Sequence, residues 1–231
     1  MHANLVALEA VLPSLEGLDD LWVMGDTVGY GPEPSAVLAL LRGRRPRMVA
    51  GNHDRAVATG QDLHEFNGPA AAAVRLHREW LDADERAFLA GLRATDERSD
   101  FTLCHGSLVD PMWEYVFTPE AAWDSFKVAT TKNWCSGHTH VPALFRRDGD
   151  LVEQVQVRPS VTYPLGPSAM VNPGSVGQPR DRDPRSSYAI LDLDAGAVTF
   201  LRVAYDVKET QRRMRKLRLP GWLVDRLAAG R

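Results

Sequence analysis

The sequence predicts an α/β fold (α+β by some schemes). Short apolar runs alternate with helix-start signatures as far as residue 140, each run ends in a polar cluster, and two run–turn–run pairs of the kind that make antiparallel hairpins follow. Asn4 is placed as an N-cap before Leu5, Leu8, Val11, Leu12 and Leu15 at helical spacing, and Pro13 limits that helix. The apolar run 21–24 stops at Gly25-Asp26, and a turn holding Gly29, Tyr30, Gly31 and Pro32 leads to Pro34, well placed in the first turn of a helix through Leu41. A second run, 47–50, ends at Gly51-Asn52-His53-Asp54. Helices are expected over 69–81 and 82–92, the second capped by Asp82. The run 101–104 ends at His105-Gly106, Thr118-Pro119-Glu120 opens another helix, and the run 134–136 ends at Gly137-His138-Thr139-His140. Hairpins are expected from 144–147 with 151–157 and from 187–193 with 198–204, before a basic amphipathic stretch at 207–216 and a short helix at 223–227.

Composition narrows the function classes. The 231 residues carry a formal charge of −3, with 44% hydrophobic and 25% charged residues, which suits a soluble globular protein and excludes a disordered chain or one held on nucleic acid by global charge. The basic runs 42–47 and 212–216 read as helix-end and helix-surface charge, so a nucleic-acid partner is disfavoured. No linker divides the chain, and one domain over residues 1–231 is expected. Cys104 and Cys135 are too few for a disulfide framework or a cysteine-rich zinc site, and both fall inside strands as small apolar residues. No apolar run approaches the ~18 residues of a membrane span, and no basic leader opens the chain, so a cytoplasmic location without a membrane partner is expected.

The polar clusters carry the chemistry. Ligands of α/β sheets bind outside the carboxyl ends of strands, and four clusters at such ends should converge on one rim, joined by His2-Ala3-Asn4 just before the first helix. Of seven histidines, His2, His53, His105, His138 and His140 lie in these clusters, whereas His64 and His77 read as ordinary helix or loop residues. Any one strand-end His or Asp is more often a cap than a ligand. Separate caps have no reason to recur in this order. Imidazoles converging with a carboxylate and an amide oxygen suit Mn, Fe, Zn, Co or Ni better than Ca or Mg alone, and an aspartate flanked by histidines can bridge two cations. Val141 and Pro142 after His140 exclude a His-x-His-x-Asp-His site, and no His-Glu-x-x-His helix is present.

Gly25-Asp26, Gly51-Asn52-His53-Asp54, His105-Gly106 and Gly137-His138-Thr139-His140 resemble the calcineurin-like metallophosphoesterase superfamily. The run 172–177 with Pro179-Arg180, and Tyr205-Asp206, resemble its small bacterial and archaeal phosphodiesterase branch. The resemblance implies a β-sandwich flanked by helices, with the site on strand-end loops. It implies that His2 and His140 bind a first metal, that Asn52, His105 and His138 bind a second, and that Asp26 bridges the two. It also implies that His53 stabilises phosphoryl oxygens or protonates the leaving oxygen, and that Asp54 orients His53. The cofactors implied are two divalent transition metals (Mn, Fe, Zn, Ni or Co, with Mn favoured), and the reaction is hydrolysis of a phosphodiester or phosphomonoester by a bridging hydroxide.

Arg180 is a candidate for binding a substrate phosphate, against the plain reading of a solvated, mixed-charge loop, and Tyr30 either shapes the pocket or simply packs. A small phosphate ester or nucleotide is the expected substrate, with room left for a homo-oligomer. The family pattern opens strand–Asp–x–His, whereas Met1 stands at x here. The resemblance therefore places the first strand and one aspartate ligand outside these residues, which a start assigned too late explains better than a genuinely shortened form. The flanking edges should be filled by another segment or a neighbouring chain, or else stay open and hydrated, and the first metal site should be empty or weakly filled. A metal- or phosphate-binding scaffold with weak or no catalysis is the alternative function.

Overall fold

The computed structural model describes residues 1–231. Asn4 caps α1 (Leu5–Val11), its side chain accepting the Ala7 N–H, and Pro13 falls in the 3₁₀ turn that ends the helix. Strands β1 (Trp22–Val23) and β2 (Arg47–Met48) run parallel, joined through α2 (Pro34–Arg44), as a parallel pair requires. Next come α3 (Asn52–Thr59), α4 (Gly68–Trp80) and α5 (Ala83–Ala90), the last opened by a reciprocal cap between Asp82 and Glu85.

Six strands form the larger sheet, in the order β3-β4-β5-β9-β6-β7. They are β3 (Thr95–Arg98), β4 (Phe101–Cys104), β5 (Asn133–Cys135), β6 (Pro142–Asp148), β7 (Leu151–Val155) and β9 (Ser168–Pro173), with α6 (Pro119–Val128) between β4 and β5. Strands β4, β5 and β9 are parallel neighbours, and the other pairings are antiparallel. A smaller sheet, β10-β11-β8, holds β8 (Thr162–Pro164), β10 (Ser186–Asp192) and β11 (Ala197–Val203). The main core lies between the sheets: Phe101, Leu103, Leu144 and Val171 of the larger meet Val198 and Phe200 of the smaller. This is the mixed α/β sandwich that the sequence predicts. Helices α7 (Val207–Lys216) and α8 (Gly221–Ala229) close the chain. No helix is long and apolar enough to cross a membrane.

Three strands escape the sequence reading for physical reasons. Strand β3 consists of Thr, Asp, Glu and Arg, so an edge strand presents no apolar period. Strand β8 is three residues ending in Pro164. Strand β9 lies between β5 and β6 with Ala169, Met170 and Val171 all buried, so it does not alternate, and Pro167 and Pro173 bracket it like a loop.

Strand β1 pairs only with β2, and β10 is an outer strand of its sheet. A cavity of about 610 Å³ runs along both, lined by Leu8 and Val11 of α1 as well as Val23, Tyr188 and Ile190. No other strand of these residues pairs with either edge there. Met1 sits at the end of this cavity, where its buried ammonium donates to the Asp26 carbonyl at 2.9 Å and burial lowers its pKa.

Candidate metal centre

The strand-end loops meet because glycine lets them. A Cβ on Gly51 would lie 2.1 Å from Asp26 Oδ1, and one on Gly25 would lie 2.6 Å from the Gly51 nitrogen. Asp26 therefore rests directly on the loop after β2, where its Oδ1 accepts the His53 N–H at 3.0 Å. His2, Asp26, His138 and His140 all adopt left-handed φ angles, of 54°, 52°, 58° and 60°. Such strain in non-glycine residues costs of order 1–3 kcal/mol each and concentrates at functional sites.

Each of four histidines has one ring nitrogen occupied by a main-chain carbonyl. His2 Nδ1 faces Val28 O at 3.0 Å, His105 Nδ1 faces Met24 O at 2.7 Å, His138 Nε2 faces Trp113 O at 3.1 Å and His140 Nδ1 faces Gln178 O at 2.7 Å. A carbonyl accepts only, so these nitrogens carry the N–H and the other nitrogen of each neutral ring is a bare lone pair. Those lone pairs point at each other: His2 Nε2 to His140 Nε2 and His105 Nε2 to His138 Nδ1, both at 2.9 Å. Burial keeps the rings neutral, pulling His105 down to about 4 and His138 to about 3, and holding His2 and His140 well below the usual value. Paired lone pairs at this distance call for a cation.

Asp26 Oδ2 lies 3.4 Å from both His2 Nε2 and His105 Nε2, between the pairs, and Asn52 Oδ1 is 3.2 Å from His105 Nε2. Two overlapping donor groups result: His2, Asp26 and His140, and Asp26, His105 and His138, the ligand atoms of each within 4.8 Å of one another. Nitrogen and oxygen donors held this way fit divalent transition metals, and the carbonyls that orient the rings are the outer support such sites use. Burial pushes the Asp26 carboxyl up to about 7, a cost that a cation beside it would reverse.

His53 is buried beside this centre, its ring centroid 5.1 Å from that of His2 and 4.4 Å from that of Tyr30, and its Nδ1 has no hydrogen-bond partner. Only a glycine fits at 29, since a Cβ there would lie 2.3 Å from that Nδ1. Asp54 does not touch the ring. Its carboxylate accepts the N–H of Val28 at 3.1 Å and of Gly51 at 3.0 Å, which ties the loops after β1 and β2 together in place of the expected contact with His53. Burial, with Asp26 nearby, pushes Asp54 up to about 7. Tyr30 is buried, and its hydroxyl accepts from Arg180 Nη2 at 3.2 Å. Arg180 also donates to Gln178 Oε1 at 3.0 Å, and its charge lowers the pKa values of His53 and His140.

Sequence reasoning passed over two contributors. His77 is buried and holds the turn that carries Tyr30, although its helical position gave no motif to mark it. Tyr115 stacks on His138 with centroids 3.9 Å apart and an interplanar angle of 15°, from a loop whose sequence shows no periodicity.

A sandwich with a histidine–aspartate cluster on its strand-end loops is the metallophosphoesterase fold. The calcineurin-like phosphoesterase superfamily domain matches residues 1–196, and the chain belongs to that superfamily. A metallophosphoesterase from Sphaerobacter thermophilus superposes with a TM-score of 0.90 at 41% identity, covering 100% of this chain and 96% of that one. An uncharacterised protein of Methanocaldococcus jannaschii is 32% identical over 100% of this chain and 96% of its own length. The symmetrical bis(5'-nucleosyl)-tetraphosphatase of Vibrio cholerae is 31% identical over 51% of this chain and 44% of its length.

Proposed function

We propose that this protein is a metal-dependent phosphoesterase that hydrolyses small phosphate esters, with nucleotide phosphodiesters favoured over phosphoprotein. The reading is carried by one observation, the two pairs of facing imidazole lone pairs with the Asp26 carboxylate between them. His2, Asp26 and His140 would hold one divalent transition metal, and Asp26, Asn52, His105 and His138 a second, with manganese favoured. Bound there, the cations would supply Lewis acidity and neutralise charge that develops on the phosphoryl oxygens.

The chain's own residues divide the remaining work. His53, kept neutral by burial and free at Nδ1, is suited to hydrogen-bond a phosphoryl oxygen or to give a proton to the leaving oxygen. Asp54 holds the two loops in register and so positions Asp26 and His53. Arg180, fixed by Tyr30 and Gln178, is placed to bind a substrate phosphate through its guanidinium. The nucleotide preference draws on the tetraphosphatase relatives, which match over only half of this chain.

Hydrolysis of bis(4-nitrophenyl) phosphate with added Mn²⁺, Co²⁺ or Ni²⁺ tests the reading. Turnover that a chelator abolishes and metal restores is expected, and inertness with every metal overturns it. The scaffold reading has one specific observation behind it: the first donor group offers three protein ligands where the second adds Asn52 as a fourth. Retention of a single metal with no turnover would favour it.

A further inference from the structure

We infer that Tyr115 and Phe117 form a stacking platform for the base of a nucleotide, a binding subsite that deepens the phosphoesterase reading and rests on it. The loop between β4 and α6 is cross-linked by its own hydrogen bonds. Gly106 and Ser107 donate their N–H groups to Pro111 O and Asp110 O, and Asp110 Oδ1 accepts the N–H of Met112 and Trp113. The loop is also tied to the metal centre, because Trp113 O holds His138 Nε2 at 3.1 Å. Val116 is buried with Phe126 and Trp134, while Tyr115 and Phe117 on either side of it are exposed.

Those outward rings are ordered and costly. Tyr115 is 46% exposed and Phe117 51% exposed, two large aromatic rings fixed side by side in water. Their planes are nearly parallel, with centroids 5.6 Å apart and 15° between planes, and Tyr115 continues the stack onto His138 at 3.9 Å. A ladder of parallel faces thus climbs from a proposed metal ligand to solvent. A second aromatic line, His53–Phe66–Trp113, joins His53 to the same loop with centroids 4.8 Å and 5.2 Å apart, edge to face. Two lines of aromatic rings thus start at histidines of the centre, and the Arg180 guanidinium lies over the Tyr30 ring 5.6 Å from its centroid. An ester whose phosphate lies at the donor cluster would project its alcohol part along the ladder. A planar base gains about 1–3 kcal/mol from such a stack whatever its sequence identity, whereas an aliphatic alcohol gains little.

The test compares two ligands that share phosphate and sugar and differ only in the base. Binding of AMP and of ribose 5-phosphate to the Mn²⁺-loaded protein is measured by titration calorimetry, separately from any hydrolysis assay. AMP is expected to bind about five- to a hundredfold tighter. Phe117→Ala, which leaves His138 untouched, should collapse that ratio towards one with an unchanged melting temperature, and Phe117→Trp should keep it. Equal affinities in the wild type, or a ratio indifferent to Phe117→Ala, overturn the platform. So does a dimer that Phe117→Ala converts to monomer, because a second copy would then be what covers the rings. Failure of bis(4-nitrophenyl) phosphate hydrolysis with AMP preference intact would instead strike the catalytic reading alone.

Discussion

His77 Nδ1 accepts the Gly29 N–H at 2.9 Å while its Nε2 donates to Gly31 O at 2.8 Å, so one buried imidazole holds both ends of the turn that carries Tyr30. Tyr30 sits in this turn with φ of 63°, a left-handed conformation that the two bonds help to keep, and its ring packs on both His2 and His53. A helix residue with no place in the metal centre thereby sets the wall of the site.

The same bonds make stability depend on pH. Burial pulls the His77 pKa down from 6.5 to about 4, so the unfolded chain takes up the proton first as pH falls. The contribution of a neutral His77 is complete above about pH 6.5 and is lost as pH falls from there toward 4, a span worth about 3 kcal/mol. His77→Ala should lower the urea midpoint at pH 7, since two buried main-chain groups lose partners at ~1–3 kcal/mol each, and should flatten the decline between pH 6.5 and 4. Wild type and variant with the same midpoint and the same decline would refute the assignment.

His53→Ala is expected to leave metal content intact and to cut turnover by ~10²–10³, the usual cost of one donor to a developing oxyanion. Gly29→Ala should do much the same by a different route, because its new Cβ would lie 2.3 Å from His53 Nδ1 and must push the ring away. The double variant should then be little worse than either single one. Loss of a metal in His53→Ala, measured by elemental analysis, would show that the ring is a ligand.

What the sequence made legible follows from what repeats or caps. The helix starts at Asn4, Asp82 and Thr118 were readable from their side chains, and Phe101–Cys104 was readable as an apolar run stopped by His105-Gly106. The five clustered histidines, Asp26 and Asn52 were readable as one centre because they recur at successive strand ends. Asp54 has Val28 and Gly51 as its partners in space, which its sequence position beside His53 does not reveal. His77 and Tyr115 act through a turn and a ring face that belong to other elements, and no local pattern encodes either.

The two donor groups should differ in affinity. The second has Asn52 Oδ1 beside His105 as well as the histidine pair and Asp26, whereas the first has His2, His140 and Asp26 only. In a Mn²⁺ titration followed by metal analysis, the first equivalent should be retained through dialysis and the second should be weak. Asn52→Ala and His138→Ala should reduce the tight equivalent, and His140→Ala should reduce only the weak one. Two equally tight equivalents, or loss of the tight one in His140→Ala, would reverse the ranking.

The open edges of β1 and β10 lead to the last expectation. Strands β4, β5, β6, β9 and β11 are paired on two sides, whereas β1 and β10 are edge strands that border the same cavity of about 610 Å³. A main-chain donor or acceptor left buried and unpaired costs ~1–3 kcal/mol, so in the isolated chain water is expected to satisfy the edges. The walls are nevertheless apolar, with Leu8, Val11, Val23 and Ile190 among them. A hydrated cleft with greasy walls should do two things at once. Amides of β10 that bond neither to β11 nor, as Ser187 does, to Ser175 O should exchange within the fast phase of a hydrogen-exchange experiment, while those of β5 and β9, interior to the six-stranded sheet, stay protected. An apolar dye such as ANS should bind to the native protein in this cleft, which His2, Asp26, His105, His138 and His140 also line at the donor cluster. Replacing Val11 with Trp should fill part of the space, reduce dye binding and leave metal content unchanged. Slow exchange along the whole of β10, with no dye bound, would mean that the edges are closed in solution.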